Sequence, residues 1–140
     1  MPTRDPLQDA KRIVEETKER FSDYEDWMKH NGMRILVNSY TGMDVSEIPD
    51  AITANMNAIK NRKRTGLRVL VDISDVYANK EILGLFKKAG SELAPYISRS
   101  AVIGALGVQK YFLNIVNAIS GMNTRAFNTR DEALEWLTKL

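Results

Sequence analysis

Two short segments hold most of the side chains able to do chemistry. The first is Asp72-Ile-Ser74-Asp75. Two neighbouring carboxylates can hold a divalent cation or share a proton. Asp72 and Ser74 can equally satisfy the backbone of a turn, which is the commoner use of these residues. The second is Gly104-Ala-Leu-Gly107-Val-Gln109-Lys110. Two glycines let a backbone approach a ligand closely. A lysine in the first turn of a helix opposes the helix dipole by roughly 0.3–1 kcal/mol, and a bound phosphate, carboxylate or lipid head group would reverse that sign. A tight turn followed by an exposed lysine accounts for the same residues. The spacing matches neither a P-loop nor a complete dinucleotide fingerprint.

Other chemistry is thinly represented. Zero cysteines among 140 residues exclude disulfides, thiolate nucleophiles and Cys-ligated zinc. The single histidine, His30, has no evident partner in the sequence, so a histidine triad or metal centre is not expected. There is no Gly-x-Ser-x-Gly elbow. Lys60-Asn-Arg-Lys-Arg64 is the one basic run. At a helix end it suits the C-terminal dipole, and no aromatic residue interleaves to stack a base. Twenty Lys and Arg against eighteen Asp and Glu give +2 at neutral pH, so bulk charge does not mark a nucleic-acid binder. No catalytic residue, metal or cofactor is therefore expected.

These segments must be positioned by a fold, and the periodicity outlines one. With 44% hydrophobic and 27% charged residues, the chain has the composition of one globular domain. Asn31-Gly32 between β-prone runs predicts a hairpin joining strands near Tyr24–Lys29 and Arg34–Ser39. A helix is expected over Ser46 to Asn61, with Ser46 as cap and Ile48, Ile52, Met56 and Ile59 on its apolar face. Leu67–Ile73 is a near-continuous apolar run, as in a strand covered on both faces. Asn79 should cap a helix from Lys80 to Leu93. Ser100–Ala105 reads as another buried strand and Thr124–Phe127 as a short one. Thr129-Arg-Asp-Glu132 is a capping box for a last helix whose stripe is Ala133, Leu134, Trp136, Leu137 and Leu140. Strands alternating with helices predict an α/β fold with a largely parallel sheet of about five strands, the hairpin strand forming an antiparallel edge.

Two segments stand apart. Residues 1–22 read as a helical arm, with Asp5 as cap, Pro6 in the first turn and Leu7, Ala10, Ile13, Val14, Thr17 and Phe21 as a narrow stripe. The stripe suits packing on the chain's own domain, residues 23–140, or on a second copy. A helix from Gly107 to Ser120 has an apolar arc wider than a surface helix needs. Tyr111, Phe112, Ile115, Ile119 and Met122 would then form a dimer contact or the wall of an apolar-ligand site. From Ser100 to Thr124 the only charge is Lys110, yet interspersed Gly, Asn and Ser make a membrane span of about twenty apolar residues a poor reading. The N-terminus has no apolar run of the signal-peptide kind, so the expected address is cytoplasmic.

The pieces Arg34-Ile-Leu-Val-Asn-Ser-Tyr, Val69-Leu-Val-Asp-Ile-Ser-Asp-Val, Ser100-Ala-Val-Ile-Gly-Ala-Leu-Gly and Phe127-x-x-x-x-Glu-Ala-x-x-Trp-Leu together resemble the small bacterial SpoIIAA-like proteins, grouped with STAS and CRAL-TRIO folds. The resemblance runs over about residues 24–139 and leaves out residues 1–20. It implies a single STAS-like domain with a mixed sheet flanked by helices, and a role in binding or regulation. A homodimer, a regulatory protein partner and a lipid or small apolar ligand are the partners it suggests. A phospho-regulated switch of the anti-sigma-antagonist type is a further reading. That group carries Asp-Ser-Ser-Gly at a helix start, where this chain has Tyr77-Ala-Asn79-Lys, with no hydroxyl that suits the switch. A carboxylate enzyme using Asp72 and Asp75 is a third reading. The candidate ligand or anion residues are thus Asp72, Ser74, Gly104, Gly107, Gln109 and Lys110.

Overall fold

The computed structural model describes residues 25–76, 79–105 and 123–140. The N-terminal arm and the helix expected over Gly107–Ser120 lie outside the described residues. So do Tyr77, Gly107, Gln109, Lys110, Tyr111, Phe112, Ile115, Ile119 and Met122.

Five strands, β1 (Glu25–His30), β2 (Met33–Ser39), β3 (Leu67–Asp72), β4 (Ile97–Ile103) and β5 (Thr124–Phe127), form one sheet in the order β1-β2-β3-β4-β5. β1 pairs antiparallel with β2, and the other neighbours are parallel. Among the described residues three helices accompany them: α1 (Ile48–Asn61), α2 (Lys80–Leu93) and α3 (Arg130–Leu137).

Local chemistry explains most boundaries. Asn31 and Gly32 both take positive φ, at 51° and 78°, as a two-residue hairpin turn requires. The Asn79 carboxamide accepts from the Ile82 N–H at 2.9 Å and starts α2. Thr129 Oγ1 accepts from the Glu132 N–H at 3.2 Å and starts α3. Ser46 does not cap α1. The helix begins two residues later, after Glu47, with no side-chain cap and with Pro49 in its first turn. Asp44 Oδ1 instead accepts from the Ser46 N–H at 3.4 Å, so Ser46 belongs to the preceding turn.

The sheet steps one way from β2 to β4, so right-handed crossovers place α1 and α2 on the same face. On that face Ile48, Ala51, Ile52, Ile73, Ile82 and Val102 make one buried cluster, and Leu36, Ile59, Leu67, Val69, Leu93 and Ile97 make its continuation. α3 covers the other face, where Ala133, Leu134 and Leu137 pack on Ile35, Val37, Leu70, Ala101 and Ile103. Fully burying a Leu or Ile side chain contributes about 1.5–3 kcal/mol. Both faces of the central strands are buried, which is why Ile35–Val37, Val69–Val71 and Ala101–Ile103 read as continuous apolar stretches rather than as alternating ones.

Candidate functional site

The parallel strands end in the turn that carries the first chemical segment. Asp72 Oδ1 accepts from the Ser74 N–H at 2.9 Å, closing a local turn. Asp75 follows in the left-handed region with φ 59° and is exposed. Gly104, at the end of β4, has φ 85°, and a Cβ there would run into the Ser74 backbone and its hydroxyl. Asp72, Ser74 and Gly104 are thus brought together, but as a close-packed joint between two loops. Among the described residues no three His, Asp or Glu side chains gather in a way that could hold a metal ion.

An apolar cavity of about 100 Å³ lies on the face covered by α1 and α2. Its floor is the sheet, through Val69, Val71, Ser100, Val102 and Thr124, and its roof comes from Ile52, Met56, Phe86 and Ala89. The apolar-ligand wall expected at Tyr111–Met122 lies outside the described residues. The structure places this cavity between the sheet and the two earlier helices.

The floor residues share one side of the sheet because the registers align them. Asn38 lies beside Val71, Val71 beside Val102, and Ser100 beside both Val69 and Thr124. Alternation along each strand then sends these side chains to the helix-covered face. The α1 residues that meet them, Ile52, Asn55, Met56 and Ile59, are spaced for one helical face.

Five polar residues interrupt the apolar wall. Asn55 Nδ2 donates to Tyr40 Oη at 2.9 Å, and both side chains are buried. The Tyr40 ring meets Phe86 edge-on, 5.5 Å between centroids, which fixes the hydroxyl at one end of the cavity. Ser100 and Thr124 add hydroxyls from adjacent strands. Asn38 is 5% exposed, and its Oδ1 has no hydrogen-bond partner among the described residues. A buried amide oxygen left unpaired costs about 1–3 kcal/mol, so this atom is poised to accept a hydrogen bond. Among the described residues no Lys, Arg, His, Asp or Glu lines the cavity.

Asn38, Asn55 and Tyr40 are not among the candidate residues expected from the sequence. A signal was present for the first two. Asn38 interrupts the apolar run Ile35-Leu-Val-Asn-Ser-Tyr40, and Asn55 stands three residues after Ile52 on the apolar stripe of α1. A polar side chain at a core position asks for a partner, and neither partner is close in sequence.

His30, expected to be unpaired, in fact meets Glu135 of α3, with Nε2 and Oε1 3.0 Å apart. The His30 and Asn31 hydrogen bonds hold the Glu135 carboxyl below its ordinary value of 4.5.

A family model described as SpoIIAA-like matches residues 7–138. The match takes in much of the N-terminal segment that the motif resemblance left outside. Among solved structures, the chain is similar to an uncharacterised protein with a SpoIIAA-like fold from Shewanella loihica PV-4. The two are 17% identical, with a TM-score of 0.62 over 81% of this chain and 91% of that one. That likeness concerns the fold. No curated protein matches the chain.

Proposed function

The chain belongs to the SpoIIAA-like family, and from that premise we propose that it is a non-catalytic binding module whose cavity encloses a small, uncharged, mostly apolar molecule. The observation that carries this reading is the unpartnered Asn38 oxygen in an otherwise apolar hollow. Apolar walls favour a hydrocarbon body by the area they remove from water. Asn38 favours a hydroxyl or amide that donates to it. The described lining residues are uncharged and supply no counter-charge, and a buried lone ion is heavily penalised. That argues against an anion here and favours a neutral ligand. An apolar cavity of about 150 Å³ in another protein takes benzene. A hollow of about 100 Å³ suits a somewhat smaller group, such as a short aliphatic chain.

The reading is tested with the full chain by adding 1-pentanol or n-pentane and following the methyl resonances of Ile52, Val71 and Val102. Pentanol should shift them saturably and bind more tightly than pentane. In Asn38→Leu the preference should reverse, and the empty protein should gain about 1–3 kcal/mol of stability as the unpaired amide is removed. Methyl resonances indifferent to both probes would sink the proposal. Among the described residues no helix is long and apolar enough to cross a membrane. A homodimer, a regulatory protein partner and a cytoplasmic address belong to the same proposal. Solution mass of the full chain, with and without residues 1–20, tests the first of these.

A further inference from the structure

At the opposite end of the parallel strands from the Asp72–Gly104 joint, a second hollow of about 290 Å³ is lined by Trp27, Met33, Arg34, Arg64, Gly66 and Arg68 among others, with no carboxylate among the described residues. In the sequence the basic run Lys60–Arg64 reads as a solvated helix end able to touch phosphates, with no interleaved aromatic residue to stack a base. The fold supplies one from elsewhere. Trp27 of β1 lies beside Arg34 of β2, whose guanidinium carbon is 4.4 Å from the ring centroid, and beside Arg62 after α1, at 5.2 Å. Two guanidinium groups on one indole repel each other, while the ring face attracts both. Arg68 reaches from β3 to the carbonyls of Leu137 and Lys139, groups that leave its charge uncancelled by a carboxylate. Arg34 and Arg64 are exposed and have no acidic partner among the described residues. The dipole of α1 accounts for cations at Lys60 to Arg64. It does not account for Arg34, which comes from a strand.

We infer that this hollow is an anion site for a phosphate group, carried by a small metabolite or a lipid head group, and gripped by Arg34 and Arg64. Guanidinium forks match phosphate oxygens in geometry and form charge-assisted hydrogen bonds with them. Single-stranded nucleic acid fits less well. Its bases need a free aromatic face, and the half-buried Trp27 already stacks against two guanidinium groups.

The test titrates the full chain with inorganic phosphate at low salt, following the Trp27 indole N–H and the arginine side-chain resonances. A saturable shift that weakens as sodium chloride is added is expected. Arg34→Gln and Arg64→Gln should each weaken it about tenfold, the loss of one charge-assisted contact. Arg64→Gln should leave the melting temperature within about one degree, because its side chain is exposed, and so separates lost binding from lost stability. Sedimentation with vesicles distinguishes the sources. Binding to phosphatidic acid in phosphatidylcholine, lost in the double variant, assigns a lipid head group; phosphate binding without vesicle binding assigns a soluble ligand. No saturable shift and no vesicle binding, or shifts unchanged in both variants, overturns the inference. Tighter binding to a single-stranded oligonucleotide than to either phosphate source also overturns it.

Discussion

Gly104 illustrates how far a single atom can matter in this protein. It holds φ at 85° where the β4 end abuts Ser74. Gly104→Ala would add a methyl group in a backbone region that L-residues avoid, against a neighbouring backbone that cannot swing away. We expect a loss of about 3 kcal/mol, read as a lower urea midpoint with an unchanged slope. A midpoint equal to wild type would mean the two loops are free to part. Glu135 acts through charge instead. Its carboxyl is held below the ordinary range first by the hydrogen bond from His30 and then by that from Asn31. A depressed carboxylate stabilises the fold above its unfolded value of about 4.5. That contribution is lost as pH falls through the lower folded value. Glu135→Gln should therefore flatten the acid limb of the melting temperature below about pH 4.5. Identical acid limbs in both proteins would count against the pairing.

The element most in need of outside support is α3, eight residues long. Isolated helices of that length are unstable in water, so its burial and its ends must hold it. Thr129 closes the N-terminus. At the C-terminus Arg99 Nη1 donates to the Trp136 carbonyl at 2.9 Å and the Lys139 carbonyl at 2.6 Å, with Arg68 donating to Leu137. Cations at a helix C-terminus also match its dipole. The β3–β4 register shifts between Leu67 and Arg68, so Arg68 pairs with Arg99 and both face α3. Arg99→Ala should cost about 2 kcal/mol and change the fluorescence of Trp136, over whose ring the guanidinium sits at 5.7 Å. A stable variant with unaltered emission would show that Arg68 suffices alone. On the other face, the ion pair of Lys60 with Glu92 joins α1 to α2 at 3.4 Å, partly exposed to solvent, and contributes less than about 1 kcal/mol. The cavity between these helices therefore depends on apolar packing for its shape.

At the scale of the whole molecule, the two faces of the sheet divide the work. The α3 face is a closed apolar core, and the face under α1 and α2 keeps a hollow with polar residues in its wall. An empty apolar hollow forfeits packing contacts, at about 24 cal/mol per Å³ of cavity in a well-studied series. Ala89→Leu, which projects into the hollow from α2, should abolish pentanol binding while raising the melting temperature or leaving it unchanged. A fall of several degrees would mean that the site is already full.

Much of this architecture was legible in the residues themselves. Asn31-Gly32, the Asn79 and Thr129 caps and the unbroken apolar strands are local signals, set by backbone sterics, by hydrogen-bond geometry within a few residues and by burial on both faces. Even Asp72 and Ser74 make the turn bond that their types suggest. What tertiary structure alone decided is which distant side chains meet. Trp27 finds Arg62, Tyr40 finds Asn55, and His30 finds Glu135 across 105 positions. Strand register and helix crossing set these meetings, and neither leaves a periodic trace in sequence. The same is true of the hollow, because a cavity is a failure of side chains from different elements to touch, a property of their joint packing and of no residue by itself.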